Sequence, residues 1–363
     1  MIQLKKITLN QLVCLLVMNQ VGAYVLSVAY VGSKHSGSDS WIVILLDGLF
    51  VQMMIFIIYL LAKRYPDQSL PQYIFLIVGK PLGSLFNLLF GLYFMFVSLM
   101  VVVSYSDILS RWVLIETPWF VLVGMILLIS AYAATTPLRS IATTTQVIAG
   151  LFLVCVVIIF ISGFGKGEWD YFLPIGRHGI QGIMEDAYQV LWAFAGYELL
   201  FHLFPYVKRK KESHILVAAT LTNAITTSFY LMIILIVNYN FSEKKLATVS
   251  EPIVYILRKF SWAIVQSLDI VFMTIWLAVI VSTVYLNLYM SARHLSFLRK
   301  KEIPKYRLFV WIATIVSFTG GVLVDDRQIL FKLTTIQNRN SAIFIVIVPI
   351  LLFIISSIRK RVV

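Results

Sequence analysis

The residues best placed to do chemistry are charged, polar and glycine positions set inside otherwise apolar runs. Glu198 stands in Phe194, Ala195, Gly196, Tyr197, Glu198, near the middle of one such run. An acidic group at a helix centre in a bilayer costs about 2.5 to 3.5 kcal/mol on insertion scales, so it must face protein or water. Two roles fit it: coupling to protons or recognition of a solute amine, and a neutral carboxyl hydrogen-bonded between helices. Gly22 occupies the matching place in the first apolar run, within Asn19, Gln20, Val21, Gly22, Ala23. Glycine tolerates unusual dihedrals and close backbone approach, yet it is also a common packing residue in membrane helices. Paired glycines in corresponding runs favour a binding site, because helices broken near the midplane free backbone groups and aim helix ends at a ligand.

Other polar positions carry less. Asp47 and Asp269 lie nearer the ends of their runs, where snorkelling toward headgroups serves a carboxylate. Asp107 and Arg111 are one helical turn apart and suit an ion pair. Tyr93, Ser98, Ser104 and Tyr105, then Thr274, Ser282 and Thr283, line a pathway or cross-link helices. Ser282 and Thr283 also have the chemistry to coordinate sodium. Cys14 and Cys155 both fall within apolar runs, and His35, His178, His202, His214 and His294 show no ligand spacing, so neither a disulfide framework nor a metal site is expected. Gly163 to Gly167 lacks the Walker spacing. Asn240, Phe241, Ser242 is a glycosylation sequon that has meaning only in a eukaryotic secretory context. No nucleophile and base are placed for hydrolysis, so no enzyme and no cofactor are expected.

What must position these residues is a bundle of membrane helices. Of 363 residues, 60% are apolar and 13% charged, against roughly 45 to 50% and 25% in soluble domains. The mean hydropathy is +0.89. The expected fold is all-α and integral to the membrane, a single domain with ten spans near 9–31, 41–62, 84–109, 118–136, 143–163, 187–207, 215–238, 263–290, 307–324 and 341–358. The first run is too long for a signal peptide and is expected to remain as a helix.

The net charge of +13 is explained by topology rather than by nucleic acid. With the N-terminus cytoplasmic, inside segments collect Lys5, Lys6, Lys63, Arg64, Lys80, Arg139, Lys208 to Lys211, Arg293, Arg299, Lys300, Lys301, Lys305, Arg307, Arg359, Lys360 and Arg361, which is 19 of the 30 basic residues. Both termini are then inside. Trp41, Trp112, Trp119, Trp169 and Trp262 fall at outer span ends and Trp311 at an inner one. The Lys208 to Lys211 cluster also suits contact with anionic lipid or a partner.

Five spans per half is odd, so a duplicated second half enters the membrane from the opposite side. The expected arrangement is a 5+5 inverted repeat, 9–163 and 187–358, with broken first and sixth helices. Ser69, Leu70, Pro71, Gln72, Tyr73, Ile74 after the second span is echoed by Ser250, Glu251, Pro252, Ile253, Val254, Tyr255, Ile256 after the seventh. Each opens a stretch too short to span, consistent with paired interfacial helices.

Several motifs carry a resemblance. These are Ile7, Thr8, Leu9, Asn10, Gln11; Ala62 to Leu70 with Gly79, Lys80, Pro81, Leu82, Gly83; Glu116, Thr117, Pro118, Trp119; Leu173, Pro174; and Phe204, Pro205 ahead of a basic loop. The inner-loop pattern is the most specific. Over essentially its whole length the chain resembles the B subunit of bacterial spore germinant receptors, the endospore germination permease family of the amino acid-polyamine-organocation superfamily. That resemblance implies a protein of the spore inner membrane that binds a small germinant, an amino acid in the best-understood relatives, with an A subunit and a lipoprotein C subunit as partners. It also implies a ligand pocket among the first, third, sixth and eighth helices. By position this maps to Gly22, Ala23, Tyr93, Ala195, Gly196, Glu198 and Thr274. A germinant-sensing subunit is the leading expectation; a proton- or sodium-coupled amino-acid transporter and an ion- or water-conducting component are the alternatives.

Overall fold

The computed structural model describes residues 6–165, 167–260, 267–298 and 305–358. Lys5, Trp262, Arg299, Lys300, Lys301, Arg359, Lys360 and Arg361, which carry part of the charge and aromatic pattern that orients the chain, lie outside them. The described residues are all-helical apart from one isolated bridge, Ile7 to Val207, which ties the N-terminal segment to the far end of a later helix.

Helix α1 (Leu9–Gln20) starts at a reciprocal cap: the Gln11 amide donates to Thr8 Oγ1 at 3.2 Å and the Thr8 amide donates to Gln11 Oε1 at 3.0 Å. It stops before Gly22, and the chain resumes as a 3-10 turn, Ala23–Leu26, and a short α2 (Val28–Val31). There follow α3 (Ser40–Ala62), α4 (Leu70–Val78), α5 (Lys80–Trp112), α6 (Trp119–Ala134) and α7 (Leu138–Gly163). A second interrupted segment comprises α8 (Gly179–Val190), a 3-10 turn Leu191–Phe194, and α9 (Leu199–Leu203). The chain continues with α10 (Ser213–Asn240), α11 (Glu243–Leu246), α12 (Pro252–Lys259), α13 (Leu268–Ser296), α14 (Tyr306–Val322), α15 (Arg327–Ala342), a π turn Ile343–Ile347, and α16 (Val348–Ile358). Both short stretches flagged by the Ser69 and Ser250 motifs are helices, α4 and α12, each with proline in its first turn.

Among the described residues six helices are long and apolar enough to cross a membrane: 37–62, 80–112, 138–163, 213–240, 268–296 and 327–358. Helices α6 and α14 are shorter and apolar. Apolar side chains such as Leu49, Met53, Leu128, Val157 and Ile315 are exposed on the bundle's outside, as contact with lipid requires. Asp47 and Asp269 do not snorkel. Both are buried, and Asp47 Oδ2 and Asp269 Oδ1 have no hydrogen-bond partner among the described residues.

An interrupted helix in an apolar interior leaves backbone groups that must be paired. Here side chains pair them. Thr283 of α13 donates to Met18 O at 2.8 Å. The Tyr230 hydroxyl of α10 lies 2.9 Å from both Gln20 O and Ala193 O, so its hydrogen is shared between carbonyls of the two breaks. One turn away on α10, Thr226 donates to Gln20 Oε1 at 2.9 Å, and Gln20 Nε2 donates across to Phe194 O at 2.9 Å. The two interruptions are therefore bolted to each other and to α10.

A similar account covers the last long helix. Pro349 has no N–H, so the carbonyl four residues earlier, Ile345 O, loses its helical partner. The Tyr197 hydroxyl donates to it at 2.6 Å, linking the second break to the π turn. Tyr197→Phe should leave that buried carbonyl unpaired at a cost of about 1 to 3 kcal/mol. The expected result is a lowered thermal midpoint in detergent, with helicity retained at low temperature.

Candidate functional site

A cavity of about 490 Å³ lies between the two interruptions and α5, α13 and α15. At its closed end stand Glu198, Tyr93, Asn19, Thr283 and Asn287; at its mouth stand Lys34, Asp107, Glu251 and Arg327. The size suits a small solute.

Glu198 is 2% exposed. Its Oε2 accepts the Gly196 amide at 2.6 Å and its Oε1 accepts the Tyr93 hydroxyl at 3.5 Å. The carboxyl is thus held by the unwound backbone just before α9 and by α5. Tyr93 in turn stacks on Phe344 of the π turn, with ring centroids 4.5 Å apart. Asn287 extends the polar floor, donating to Asn19 Oδ1 at 2.9 Å.

Of the residues singled out in the sequence, Gly22, Ala23, Tyr93, Ala195 and Glu198 line this cavity, as do Ser104, Asp107 and Thr283. Gly196 is not among the lining residues and is spent on packing. Its φ is +127°, and a Cβ there would stand 2.9 Å from Gln20 N and from Asn19 Nδ2. Thr274 is exposed and its hydroxyl donates to Ile270 O at 2.8 Å within its own helix. The reason is helical phase: Thr283, which does line the cavity, lies nine residues on, two and a half turns, so the two occupy opposite faces of α13. The hydroxyls of Tyr105 and Thr283 cross-link helices by donating to Met273 O and Met18 O, whereas Ser98 and Ser282 donate to carbonyls of the preceding turn in their own helices.

Sequence reasoning missed the contribution of α15. The hydropathy pattern puts the last span at 341–358, whereas the helix begins at Arg327 and brings Thr334, Thr335, Gln337 and Asn338 to the cavity wall. Gln337 Nε2 donates to Ser341 Oγ at 3.1 Å and Asn338 Nδ2 to Gln189 Oε1 at 3.0 Å. The available signal was polar residues at helical spacing running into an apolar stretch; a hydropathy window rejects such a segment.

The expected Asp107 and Arg111 pair is present at 2.7 Å and belongs to a larger network. Arg111 also reaches Glu251 at 2.7 Å, and Arg327 lies 3.4 Å from Glu251 and 3.7 Å from Asp107. The network ties α5, the residue preceding α12, and α15 together across the mouth. Nearby, buried Asp186 accepts the amides of His35 and Ser36 at 2.9 and 2.8 Å. Glu243 accepts the Ser38 amide at 3.0 Å. Partial burial raises the Glu243 carboxyl's range, but the Ser38 amide and the His178 imidazole outweigh it and hold the group below the ordinary glutamate value.

Comparisons with known proteins agree with this architecture. The family model described as Spore germination protein matches residues 6–329. Spore germination protein YndE of Bacillus subtilis is 25% identical over 359 residues, covering 98% of each chain. Spore germination protein GerQB of Bacillus cereus is 24% identical, covering 82% of this chain and 83% of its own. Among solved structures, a manganese transporter of Eremococcus coleocola superposes with a TM-score of 0.66 at 13% identity, over 95% of this chain and 78% of its own, which is a likeness of fold. With the germination motifs of the sequence, the apolar helices and a match over most of its length, this multi-pass membrane chain belongs to the Spore germination protein family.

Proposed function

We propose that this protein is the nutrient-sensing membrane subunit of a spore germinant receptor, and that its cavity binds a small amino acid or a similar amine. The observation that carries the proposal is Glu198. It is a buried carboxyl held at the closed end of a solute-sized cavity by an unwound backbone amide and a tyrosine. In this arrangement the ammonium of the solute faces Glu198 and Tyr93, the backbone at Gly22, Ala23 and Ala195 forms the walls, and the carboxylate faces the Lys34 and Arg327 end of the cavity. Gly196 serves the site through its packing.

The surrounding architecture is read as ten crossings in two inverted halves of five, 9–163 and 187–358. The two interrupted segments and the shorter α6 and α14 supply the crossings beyond the six long helices. Both termini then lie on the cytoplasmic side of the spore inner membrane, and the cavity mouth faces away from the cytoplasm. Solute binding favours one arrangement of the bundle, and this bias passes to A and C subunits. Such signalling needs a difference in solute affinity between two arrangements.

The fold shared with a transporter favours one second reading, in which the bound amino acid crosses the membrane with a proton or sodium ion. The discriminating experiment is paired binding and uptake of a labelled amino-acid panel in liposomes, with and without an imposed proton gradient. Saturable binding without accumulation is expected; gradient-driven accumulation would make the protein a transporter. Glu198→Gln keeps the shape and removes the charge, and should weaken binding of the best solute about tenfold or more, as loss of a buried charge-assisted hydrogen bond of about 1.5 to 3 kcal/mol implies. Unchanged affinity would remove Glu198 from recognition.

A further inference from the structure

Beneath the cavity floor two histidines meet. His202 of α9 and His294 of α13 are 3% and 0% exposed, and their Nε2 atoms are 2.6 Å apart. The other nitrogen of each ring is committed. Asn87 donates its Nδ2 hydrogens to Pro71 O at 3.1 Å and to Phe297 O at 2.9 Å, which leaves Asn87 Oδ1 as the atom facing His294 Nδ1 at 2.9 Å. That oxygen only accepts, so His294 Nδ1 carries a hydrogen. His202 Nδ1 faces Glu198 O at 3.2 Å, again an acceptor, so it carries a hydrogen as well.

If both rings were neutral, each Nε2 would present a bare lone pair to the other, a repulsive contact at this distance. Two protonated rings would oppose N–H to N–H and repel more strongly. A metal ion bridging two imidazoles at about 2.0 to 2.1 Å from each nitrogen would hold them farther apart. One proton between the two nitrogens satisfies every atom, and charge assistance accounts for a contact shorter than an ordinary neutral hydrogen bond.

We propose that His202 and His294 form a proton-binding site, holding a single proton shared between their Nε2 atoms. The pair is then a buried monocation in the barrier that closes the cavity. Its surroundings suit that charge: Phe90 stacks on His294 with centroids 5.0 Å apart, and Phe94 meets His202 edge-on at 5.4 Å. Of the titratable and charged side chains on neighbouring elements, Glu198 lies one turn from His202, and Tyr93 of α5 bonds to it. Arg293 and Tyr289 on α13, with Tyr206 after α9, surround a small void beside His202. Arg293 opposes a second cation here; its guanidinium lies over Phe297 at 5.2 Å. Sharing requires α9 and α13 to stay together. An arrangement that parts them removes the lone pair that shares the proton, and with the proton then released to solvent a lower proton concentration favours the parted arrangement and a higher one the closed barrier.

The test needs no solute and is independent of the proposed function. Magic-angle-spinning NMR would be recorded on ¹⁵N-histidine-labelled full-length protein in bilayers near neutral pH. A His35→Asn, His178→Asn, His214→Asn variant leaves only the pair labelled. The expected spectrum shows one strongly deshielded proton and a ¹⁵N–¹⁵N coupling between the two Nε2 sites, lost in His294→Asn. Two bare Nε2 signals without coupling would overturn the proposal, as would one ring protonated at Nε2 and bare at Nδ1. Because the parent protein's spectrum carries the same test, failure of a variant to fold leaves the result decisive.

Discussion

Gly196→Val is expected to prevent accumulation of folded protein. The backbone there has φ +127°, a region that only glycine occupies without strain, and a Cβ would stand 2.9 Å from Gln20 N of the other interruption. Forcing a non-glycine residue into such a conformation costs about 1 to 3 kcal/mol, and overpacking against fixed backbone adds about 1 to 3 more. The sum is a large part of the stability of an ordinary domain. Gly22→Ala is the contrasting case. Its Cβ would meet Thr283 at an ordinary 3.7 Å, so the protein should fold and lose only cavity space. Size-exclusion profiles and thermal midpoints in detergent compare the two. A Gly196→Val protein as stable as the parent would show that the breaks do not need this contact. The close approach of Asn19 and Gln20 puts the cost of a bulkier residue at Gly196 on the fold before it reaches the cavity.

Both glycines were legible as interruptions because each sits in a run whose hydropathy would otherwise favour a continuous helix. What each glycine does was not legible, since it depends on which backbone crosses it. Gly22 opens onto the cavity, whereas Gly196 is pressed against α1. Thr274 shows a second limit. It lies on the right helix, but only the phase of α13 relative to the cavity distinguishes it from Thr283, and phase is set by packing partners distant in the chain. Helix α15 shows a third. Gln337 and Asn338 can be polar at depth because they line the cavity, and an average over hydropathy discards polar residues that such a cavity tolerates. His202 and His294 are 92 residues apart, so no local spacing could have paired them.

Tyr230→Phe should have the other large effect, and it tests whether the two breaks act as one unit. The hydroxyl is buried and sits 2.9 Å from a carbonyl of each interruption, Gln20 O and Ala193 O. Phenylalanine keeps the ring, including its contact with Phe194 at 5.2 Å between centroids, so packing changes little. Two carbonyls lose a shared donor at once. With about 1 to 3 kcal/mol for each buried polar group left unpaired, and one hydrogen to divide between them, the expected loss is about 2 to 4 kcal/mol. Thr226 and Gln20 still join the same segments one turn away. Thr226→Val should therefore cost less alone, and the pair of substitutions should show coupling beyond the sum of the two because they act on one joint. Thermal unfolding of both single variants and the double variant reads this directly. Strict additivity would mean that the interruptions are held independently, and movement of one half-helix would then not be transmitted to the other through α10.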